Sequence, residues 1–388
     1  MRQLNYIRKN RLEWFDARAP ELVLPTDAIV RPLAAARCDG DKVFLFHDFS
    51  GLMRLGVALH YLDPVTTEML GPRPFKGPFA IGHECVGEVV SVGPEVSAFR
   101  AGDTVVVPWA VSCGRCARCM ARLTSKCLSA GGTMLSGYGF GSSMGEWGGM
   151  VSDAIRVPFA DEMLVSVPAD IDLTALASAS DNIPDGWRTV APLLIKWPGA
   201  PVLVVGGGAE SIGLYAAGIA VALGSTRVDY VDSDLGRLAI AETLGATPVE
   251  IPAKRSSRWY RANPAEPGAA AYPITVDASA DPDGLRFAIR SLAPGGTCTS
   301  VGYYFQAGTA LPLMRMFAND STLHTGVSHP RAALPDVLAL IAGGRFRPEL
   351  VNTLVAPWEH ADQAFLERTT KVVVHRPRLA PEGSIAAN

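Results

Sequence analysis

Four closely spaced cysteines constrain the fold of this chain more than any other feature. Cys113, Cys116 and Cys119 are separated by two residues each, and Cys127 follows after seven more. Four thiolates on one short loop can surround one zinc ion, which accepts tetrahedral all-sulfur ligation. An iron–sulfur cluster, or a chance group of buried or disulfide-bonded cysteines, is the alternative. A zinc ion with four sulfur ligands has no open position, so we expect this site to stabilise the fold and to perform no chemistry.

The composition is that of a globular protein with two domains. The chain has 388 residues, 48% of them hydrophobic and 19% charged, and a net charge of -3. Such a weak charge gives no reason to expect nucleic acid or an anionic membrane as a partner. The first residues lack the apolar core of a signal peptide, and no apolar run approaches the roughly 20 residues that span a bilayer. We therefore expect a cytoplasmic protein whose cysteines do not form disulfides.

The sequence pattern changes near residue 187. Before it, short β-type segments alternate with Pro, Gly and Asp turns, as in a mainly antiparallel, barrel-like domain. After it, strands predicted at 201–208 and 227–234 alternate with helices predicted at 212–224 and 235–246. This alternation indicates a doubly wound parallel sheet.

Later segments complete both domains. Further strands of the parallel sheet are predicted at 272–279, 296–304 and 321–327. The end of the chain has a helix at 332–343 and a strand at 371–376, which we assign to the sheet of the first domain. The predicted boundaries are a first domain over 1–186, a second domain over 187–328, and a C-terminal segment over 329–388 that returns to the first domain.

The passage GHECVGEVVSVGPEVSAFRAGDTVVVPWAVSCGRCARC, residues 82–119, resembles the medium-chain, zinc-dependent alcohol dehydrogenases. The hallmarks of that family are a Gly-His-Glu tripeptide, a Gly-Asp-x-Val strand and the four-cysteine lobe, in this order. The resemblance covers the chain from about residue 1 to 377. It implies an α/β protein with a GroES-like, mainly-β catalytic domain and a Rossmann-type nucleotide-binding domain. It also implies a small alcohol or carbonyl substrate and a homodimer or homotetramer.

The resemblance further implies a catalytic zinc ion with three protein ligands and one open position. Matched by motif, these ligands are Cys38 in RPLAAARCDGD, His83 of the tripeptide and Asp181 in ASASDNIPDGW. Relatives have Cys at the third position or, in a formaldehyde-dehydrogenase-like branch, Asp. Glu84 would support the ligands, or bind the ion temporarily when substrate leaves. Taken alone, Cys38 could be a small core residue and Asp181 a helix cap.

Two positions near these ligands depart from the family pattern. The hydroxyl residue two positions after the cysteine, which starts the family's proton relay, is Gly40 here. Asp39, or His47 reaching in, would then have to accept the alcohol proton; otherwise both are ordinary loop residues. Asp185, four positions after Asp181, replaces the Thr that the family usually has beside the nicotinamide.

The segment 44–76 is longer than its counterpart in the family. Cys38 and His83 are 45 positions apart, and the segment between them is rich in Phe, Leu and Met. Such an insertion beside the metal could form a wall or lid of the substrate pocket, or a subunit contact. A pocket wall of this composition predicts a substrate that is bulky and apolar.

A glycine-rich turn follows the first strand of the second domain. Gly206, Gly208 and Gly213 let the backbone approach a pyrophosphate, whose charge would lie at the N-terminus of the helix beginning near Ile212. The spacing G-x-G-x4-G is two residues longer than the usual fingerprint. The prediction of a dinucleotide-binding site therefore depends on the position of these glycines between a strand and a helix.

Other residues of the second domain predict which dinucleotide is bound. Asp232 ends the next strand, where a carboxylate accepts hydrogen bonds from ribose hydroxyls and repels a 2′-phosphate. This favours NAD over NADP, although Arg237 could still bind a phosphate. Ser279 and Gly302 follow later strands and are predicted to contact the edge of the cofactor.

These features predict an NAD-dependent alcohol dehydrogenase with one catalytic and one structural zinc ion per chain. In that family, the ion lowers the pKa of the alcohol and the nicotinamide accepts the hydride. A formaldehyde-dehydrogenase or dismutase-like enzyme with tightly held NAD is one alternative, suggested by Asp181. A lyase-like or purely binding member of the same fold, without net redox chemistry, is the other, because Gly40 lacks the usual hydroxyl.

Overall fold

The computed structural model describes residues 1–71, 73–131, 134–253, 258–260 and 271–378. A surface loop predicted over 253–270 and a frayed tail predicted after 378 lie almost entirely outside these ranges. Among the described residues, no helix is both long and apolar enough to cross a membrane.

The strands of the described residues form three sheets. In chain order they are β1 (Arg2–Arg8), β2 (Arg11–Asp16), β3 (Ala28–Ala36), β4 (Phe79–Ala80), β5 (Glu84–Val92), β6 (Thr104–Val107), β7 (Ile155–Val157), β8 (Val165–Ser166), β9 (Val202–Val205), β10 (Val228–Asp232), β11 (Thr247–Glu250), β12 (Tyr272–Asp277), β13 (Leu292–Ser300), β14 (Thr322–Thr325), β15 (Leu354–Pro357) and β16 (Val372–His375).

Helices connect and cover these sheets. In chain order, those of the described residues are α1 (Asp41–Phe46), α2 (Phe49–Ala58), α3 (Val65–Leu70), α4 (Ala117–Met120), α5 (Ala160–Met163), α6 (Leu173–Leu176), α7 (Asn182–Lys196), α8 (Glu210–Ala222), α9 (Leu235–Thr243), α10 (Pro282–Arg290), α11 (Leu313–Ala318), α12 (Pro330–Ala342) and α13 (Ala361–Ala364). Short 3-10 turns lie at Thr124–Lys126, Gly141–Met144, Ala177–Ser180, Pro348–Val351 and Trp358–His360.

The sheet of the first domain is mainly antiparallel, in the order β15-β16-β3-β5-β6-β8, with β7 beside β3. Successive residues of β3 face opposite sides, so Ala34 belongs to one hydrophobic core and Ala35 to another. Strand β16 pairs antiparallel with β3, with Val374 opposite Ala35. The end of the chain therefore extends the sheet that the beginning of the chain starts, while the exact domain boundaries stay predictions.

The sheet of the second domain is parallel throughout, in the order β11-β10-β9-β12-β13-β14. Strand β9 is buried along its whole length, as expected for a parallel strand with helices on both faces of the sheet. The order reverses between β9 and β12, and ligands of such sheets bind outside the carboxyl ends of the strands at this point. The sequence did not predict β11, a short edge strand that contains Pro248 and is largely exposed.

The insertion 44–76 folds into the end of α1 and into α2 and α3. It is tied to the loop after β13, because Asp63 N donates to the Phe305 carbonyl and Ala307 N to the Tyr61 carbonyl, both at 2.9 Å. We call this antiparallel contact of residues 61–63 with 305–307 the strap. The strap joins the first domain to a loop of the second.

Candidate active site

The four cysteines predicted to bind structural zinc form one cluster. Their sulfur atoms lie within 4.8 Å of one another, and all four are free of disulfides. Gly114 turns the loop back between the first two with a φ of 72°, which favours glycine. Backbone N–H groups, that of Leu128 first, lower the pKa of Cys116 to about 6. Burial raises the pKa of Cys119 to about 12, so a thiolate there needs a cation beside it, and four free sulfur atoms in one cluster suit a bound metal ion.

The three side chains predicted to bind catalytic zinc also meet, although they come from distant parts of the chain. Cys38 follows β3, His83 precedes β5 and Asp181 precedes α7. Their ligand atoms lie within 4.8 Å of one another. Asp181 Oδ2 is 3.3 Å from Cys38 Sγ and 3.5 Å from His83 Nε2.

The electrostatics of this trio suit a bound cation. Burial, and then the nearby carboxylate of Asp181, raises the pKa of the Cys38 thiol well above its ordinary value. A thiolate at this position therefore needs a positive charge beside it, which a bound metal ion supplies. One sulfur, one nitrogen and one oxygen donor form a chemically sensible set for three-ligand zinc.

Asp41 supports two of the three ligands, a role that the sequence reasoning missed. Its Oδ2 accepts from the backbone N–H of Cys38 at 3.1 Å. Its Oδ1 lies 3.5 Å from His83 Nδ1, which leaves Nε2 on the side of Asp181. Asp41 thus places a carboxylate beside the imidazole, on the side away from Asp181. The motif offered a signal, because the family's Cys-Gly-Thr-Asp ends in an Asp at this position.

Glu84, the residue after His83, forms a buried ion pair with Lys371. Its Oε2 lies 2.6 Å from Lys371 Nζ, and its Oε1 accepts from the backbone N–H of Asn182 at 2.9 Å. Lys371 also donates to Asn182 Oδ1 at 2.7 Å and to the Arg37 carbonyl at 3.0 Å. Asn182 in turn donates to Cys38 Sγ at 3.1 Å. Glu84 therefore supports the ligands through Asn182, and no sequence motif marks Lys371 as its partner.

A cavity of about 370 Å³ lies over the three predicted ligands; we call it the substrate cavity. Its volume is in the range of small-molecule sites. The ring of Phe140 stacks on that of His83, with 4.6 Å between centroids. Most of the remaining wall is apolar, with side chains of Met69, Leu70, Phe75, Trp109 and Met144.

The insertion 44–76 supplies one side of this cavity. The lining residues from it lie between Asp63 and Phe75, and most belong to α3. Another part of the insertion, α2 and the residue after it, exposes Leu52, Leu55 and Leu59 to solvent. The insertion is thus a wall of the cavity, and these exposed leucines leave the predicted subunit contact open.

Asp185 lines the substrate cavity, at the position where the family usually has Thr. Burial raises its pKa to about 6, although the neighbouring Arg188 guanidinium opposes this shift. The two side chains form an ion pair one turn apart on α7.

A larger cavity of about 820 Å³, which we call the cleft, runs along the carboxyl ends of the parallel strands. Gly208, Ile212, Arg237 and Gly302, all predicted to contact the cofactor, line it. Ile212, Gly302 and Tyr303 line both the cleft and the substrate cavity, so the two spaces meet beside the predicted catalytic zinc site.

Asp39 occupies the position predicted for the pyrophosphate. Its Oδ2 accepts from the backbone N–H groups of Ser211 at 2.8 Å and Ile212 at 3.1 Å, and from the Ser211 hydroxyl at 3.0 Å. The N-terminus of α8 therefore binds an anionic group, and in this structure that group is the carboxylate of Asp39. Asp39 and the exposed His47 line the cleft, and the structure brings neither to the substrate cavity.

Asp232 is paired with Arg237 and does not line the cleft. Arg237 Nε lies 2.7 Å from Asp232 Oδ2, and its Nη2 donates to Oδ1 at 2.8 Å. Gly206 is required here, because an added Cβ would lie 2.5 Å from Asp232 Oδ2. Ser279 is engaged as well, since its hydroxyl donates to Asp277 at 2.6 Å. The structure thus places Asp232 and Ser279 behind the residues that face the cleft.

Gly213 packs against the neighbouring strand. An added Cβ would lie 3.1 Å from the Cβ of Ala278, just after β12, so glycine allows α8 to approach the sheet closely.

Comparison with known proteins agrees with this architecture. Residues 25–169 match the alcohol dehydrogenase GroES-like domain, and residues 211–343 match the zinc-binding dehydrogenase domain. A medium chain reductase/dehydrogenase of Acremonium sp. is 32% identical over 233 residues, which cover 59% of this chain and 76% of that protein. The chain belongs to the medium-chain dehydrogenase/reductase superfamily.

Two further relatives resemble this dehydrogenase over most of its length. A probable zinc-binding alcohol dehydrogenase of Mycobacterium tuberculosis is 29% identical over 346 residues, covering 89% of this chain and 79% of that protein. The structure of the alcohol dehydrogenase TADH from Thermus sp. ATN1 has a TM-score of 0.77 and 26% identity, over 97% of this chain and 99% of that chain. The predicted family and fold class are confirmed, and membership of a zinc-dependent dehydrogenase family implies zinc and a nicotinamide cofactor.

Proposed function

We propose that this dehydrogenase interconverts a bulky, apolar alcohol and its carbonyl compound by hydride transfer with NAD(H). The observation that carries the proposal is that the substrate cavity, which Cys38, His83 and Asp181 line, meets the cleft at Ile212, Gly302 and Tyr303. The cleft has room for a dinucleotide, and the substrate cavity is walled mainly by apolar side chains. A reacting carbon in the cavity would thus lie beside a nicotinamide in the cleft.

The residues around the substrate cavity have different roles in the proposed reaction. Cys38, His83 and Asp181 would hold a zinc ion, which supplies Lewis-acid polarisation of the substrate oxygen when bound. Asp41 would support His83 through the negative charge that it places 3.5 Å from Nδ1. Phe140, stacked on that ring, excludes water from the cavity on this side. Together they position the substrate oxygen and keep the site dry.

Charge around Arg237 supports NAD over NADP. Its guanidinium lies 2.7 Å from Asp232, 3.5 Å from Glu210 and 3.8 Å from Asp234. Three carboxylates already compensate this cation, so a 2′-phosphate here would meet net negative charge. NAD carries no such phosphate and avoids this repulsion.

The test uses the zinc-loaded protein with NAD or NADP and a panel of alcohols from ethanol to cyclohexanol, benzyl alcohol and 1-octanol. We expect NADH formation, monitored at 340 nm, with the larger apolar alcohols preferred and NADP a poorer cofactor. No reduction of either cofactor by any alcohol, and no oxidation of NADH by the matching carbonyls, would contradict the proposal.

Two observations in the same experiment separate the alternatives. NAD that stays bound through purification would favour a dismutase or formaldehyde-dehydrogenase-like enzyme. One zinc ion per chain, bound at the four-cysteine cluster alone, would favour a member of the fold without redox chemistry. Two ions per chain are expected from the two clusters of ligand atoms.

A further inference from the structure

Oxidation of an alcohol to a carbonyl removes one hydride, which the nicotinamide accepts, and one proton, which needs a separate acceptor. The groups beside the predicted ligands are largely engaged. Asp39 is bonded to the start of α8, the Ser328 hydroxyl donates to Asp181, and Asp185 is paired with Arg188. The proton acceptor must be found elsewhere in the wall.

Tyr303 fills the space that a side chain at position 40 would occupy. A Cβ added to Gly40 would lie 3.2 Å from the Tyr303 hydroxyl oxygen, 3.5 Å from its ring carbon Cε2 and 3.6 Å from Cys38 Sγ. The absence of a side chain at Gly40 therefore leaves the space that the Tyr303 side chain occupies. A hydroxyl that could have come from residue 40 is supplied from the second domain, next to the predicted zinc ligand.

The surroundings of Tyr303 hold its ring in place. It stacks on Phe305, with 5.8 Å between ring centroids and an interplanar angle of 17°. Phe305 in turn contacts Phe49 of the insertion edge to face, at 5.1 Å. The strap fixes the backbone of the same loop through the Asp63 N–H and the Phe305 carbonyl. Aromatic contacts and the strap together keep the Tyr303 loop at the substrate cavity.

We propose that Tyr303 replaces the missing hydroxyl as the proton carrier, a role that rests on the proposed function. Its Oη hydrogen-bonds the substrate oxygen. As the alcohol O–H bond breaks, its proton passes to Oη, and Tyr303 releases its own proton to water in the cleft, which its side chain also lines. Tyr303 ends each turnover in its starting form, and the reverse sequence protonates the product oxygen in carbonyl reduction.

The test compares Tyr303→Phe with the wild type, both loaded with zinc, using benzyl alcohol and NAD. We expect kcat/KM to fall about a hundredfold, the size of a typical general acid–base contribution. The pH profile should also lose the limb that reports this proton transfer. Tyr272→Phe is the matched control, because the Tyr272 hydroxyl donates to Asp229 and this residue lines neither the substrate cavity nor the cleft.

A rescue variant separates proton transfer from loss of structure. Gly40→Ser alone would bring a side chain to 3.2 Å from the Tyr303 hydroxyl. In Gly40→Ser/Tyr303→Phe that hydroxyl is absent, and serine supplies one from the other side. The double variant should recover at least about tenfold of the lost kcat/KM. NADH binding, followed by fluorescence, should stay within twofold of the wild type in Tyr303→Phe.

A second readout needs no turnover. Binding of the unreactive alcohol 2,2,2-trifluoroethanol to the zinc–NAD form is measured by calorimetry in buffers of different ionisation enthalpy, which reports the protons released. Tyr303→Phe should shift this release to higher pH. Wild-type kcat/KM and an unshifted proton release in Tyr303→Phe would overturn the proposal. If the wild type oxidises no alcohol, the proposed function fails, and the calorimetric shift decides the role of Tyr303 separately.

Discussion

Removing the ammonium group of Lys371 tests how the predicted zinc ligands are supported from behind. Lys371 and Glu84 are fully buried, with 2.6 Å between Nζ and Oε2. In Lys371→Met, Glu84 keeps the backbone N–H of Asn182 and loses its counter-charge. Breaking one side of a buried ion pair costs about 3–5 kcal/mol. This is a large part of the roughly 5–15 kcal/mol that stabilises a typical protein.

The loss of stability is measured by urea unfolding, followed by far-ultraviolet circular dichroism. A less stable variant unfolds with a midpoint at a lower urea concentration. The double variant Glu84→Gln/Lys371→Met removes both charges, so it should lose clearly less stability than Lys371→Met. Arg11→Met is the control, because the Arg11–Glu13 pair is exposed and such pairs contribute at most about 1 kcal/mol. Equal midpoints for Lys371→Met and Arg11→Met would refute the reasoning.

Three further variants test other parts of the site. Cys116→Ser should lower the zinc content from two ions to one per chain and lower the melting temperature; unchanged zinc in atomic absorption would show that this cluster binds no metal. Asp39→Asn removes the negative charge that competes with the cofactor for the N–H groups at the start of α8. NADH should therefore bind to this variant about tenfold more tightly than to the wild type. Weaker binding in a fluorescence titration would contradict this prediction. Burial raises the pKa of Asp185 to about 6. As the pH rises from about 4 to about 6, the free energy of unfolding of the wild type should therefore fall by up to about 3 kcal/mol relative to that of Asp185→Asn. The same pH dependence of unfolding in both proteins would contradict this prediction.

The residues predicted to bind metal ions were accessible from the sequence, whereas the residues that support them were not. Cys38, His83 and Asp181 lie in short passages whose order and spacing mark them. Lys371 contacts Glu84 across 287 positions, and only the pairing of β16 with β3 brings them together. No local pattern encodes such a contact, because it depends on how the end of the chain docks.

The cofactor residues show a different limit. The pattern of strand, glycine turn and helix predicts β9 and α8 well, since it follows from local chain geometry. The same pattern does not show that Asp39, from the other domain, accepts hydrogen bonds from the backbone N–H groups of Ser211 and Ile212. Nor does it show that Arg237 pairs with Asp232. Which charged side chains pair depends on their positions in the folded protein, and the sequence shows only which residues carry charge.

The strap has a consequence for how this protein can diversify. Residues 61–63 hold the loop at 305–307, and α3, which follows directly in the chain, forms a wall of the substrate cavity. A replacement of that wall therefore also alters the link between the two domains. A change in this wall that alters substrate preference is therefore expected to change how firmly the loop at 305–307 is held as well.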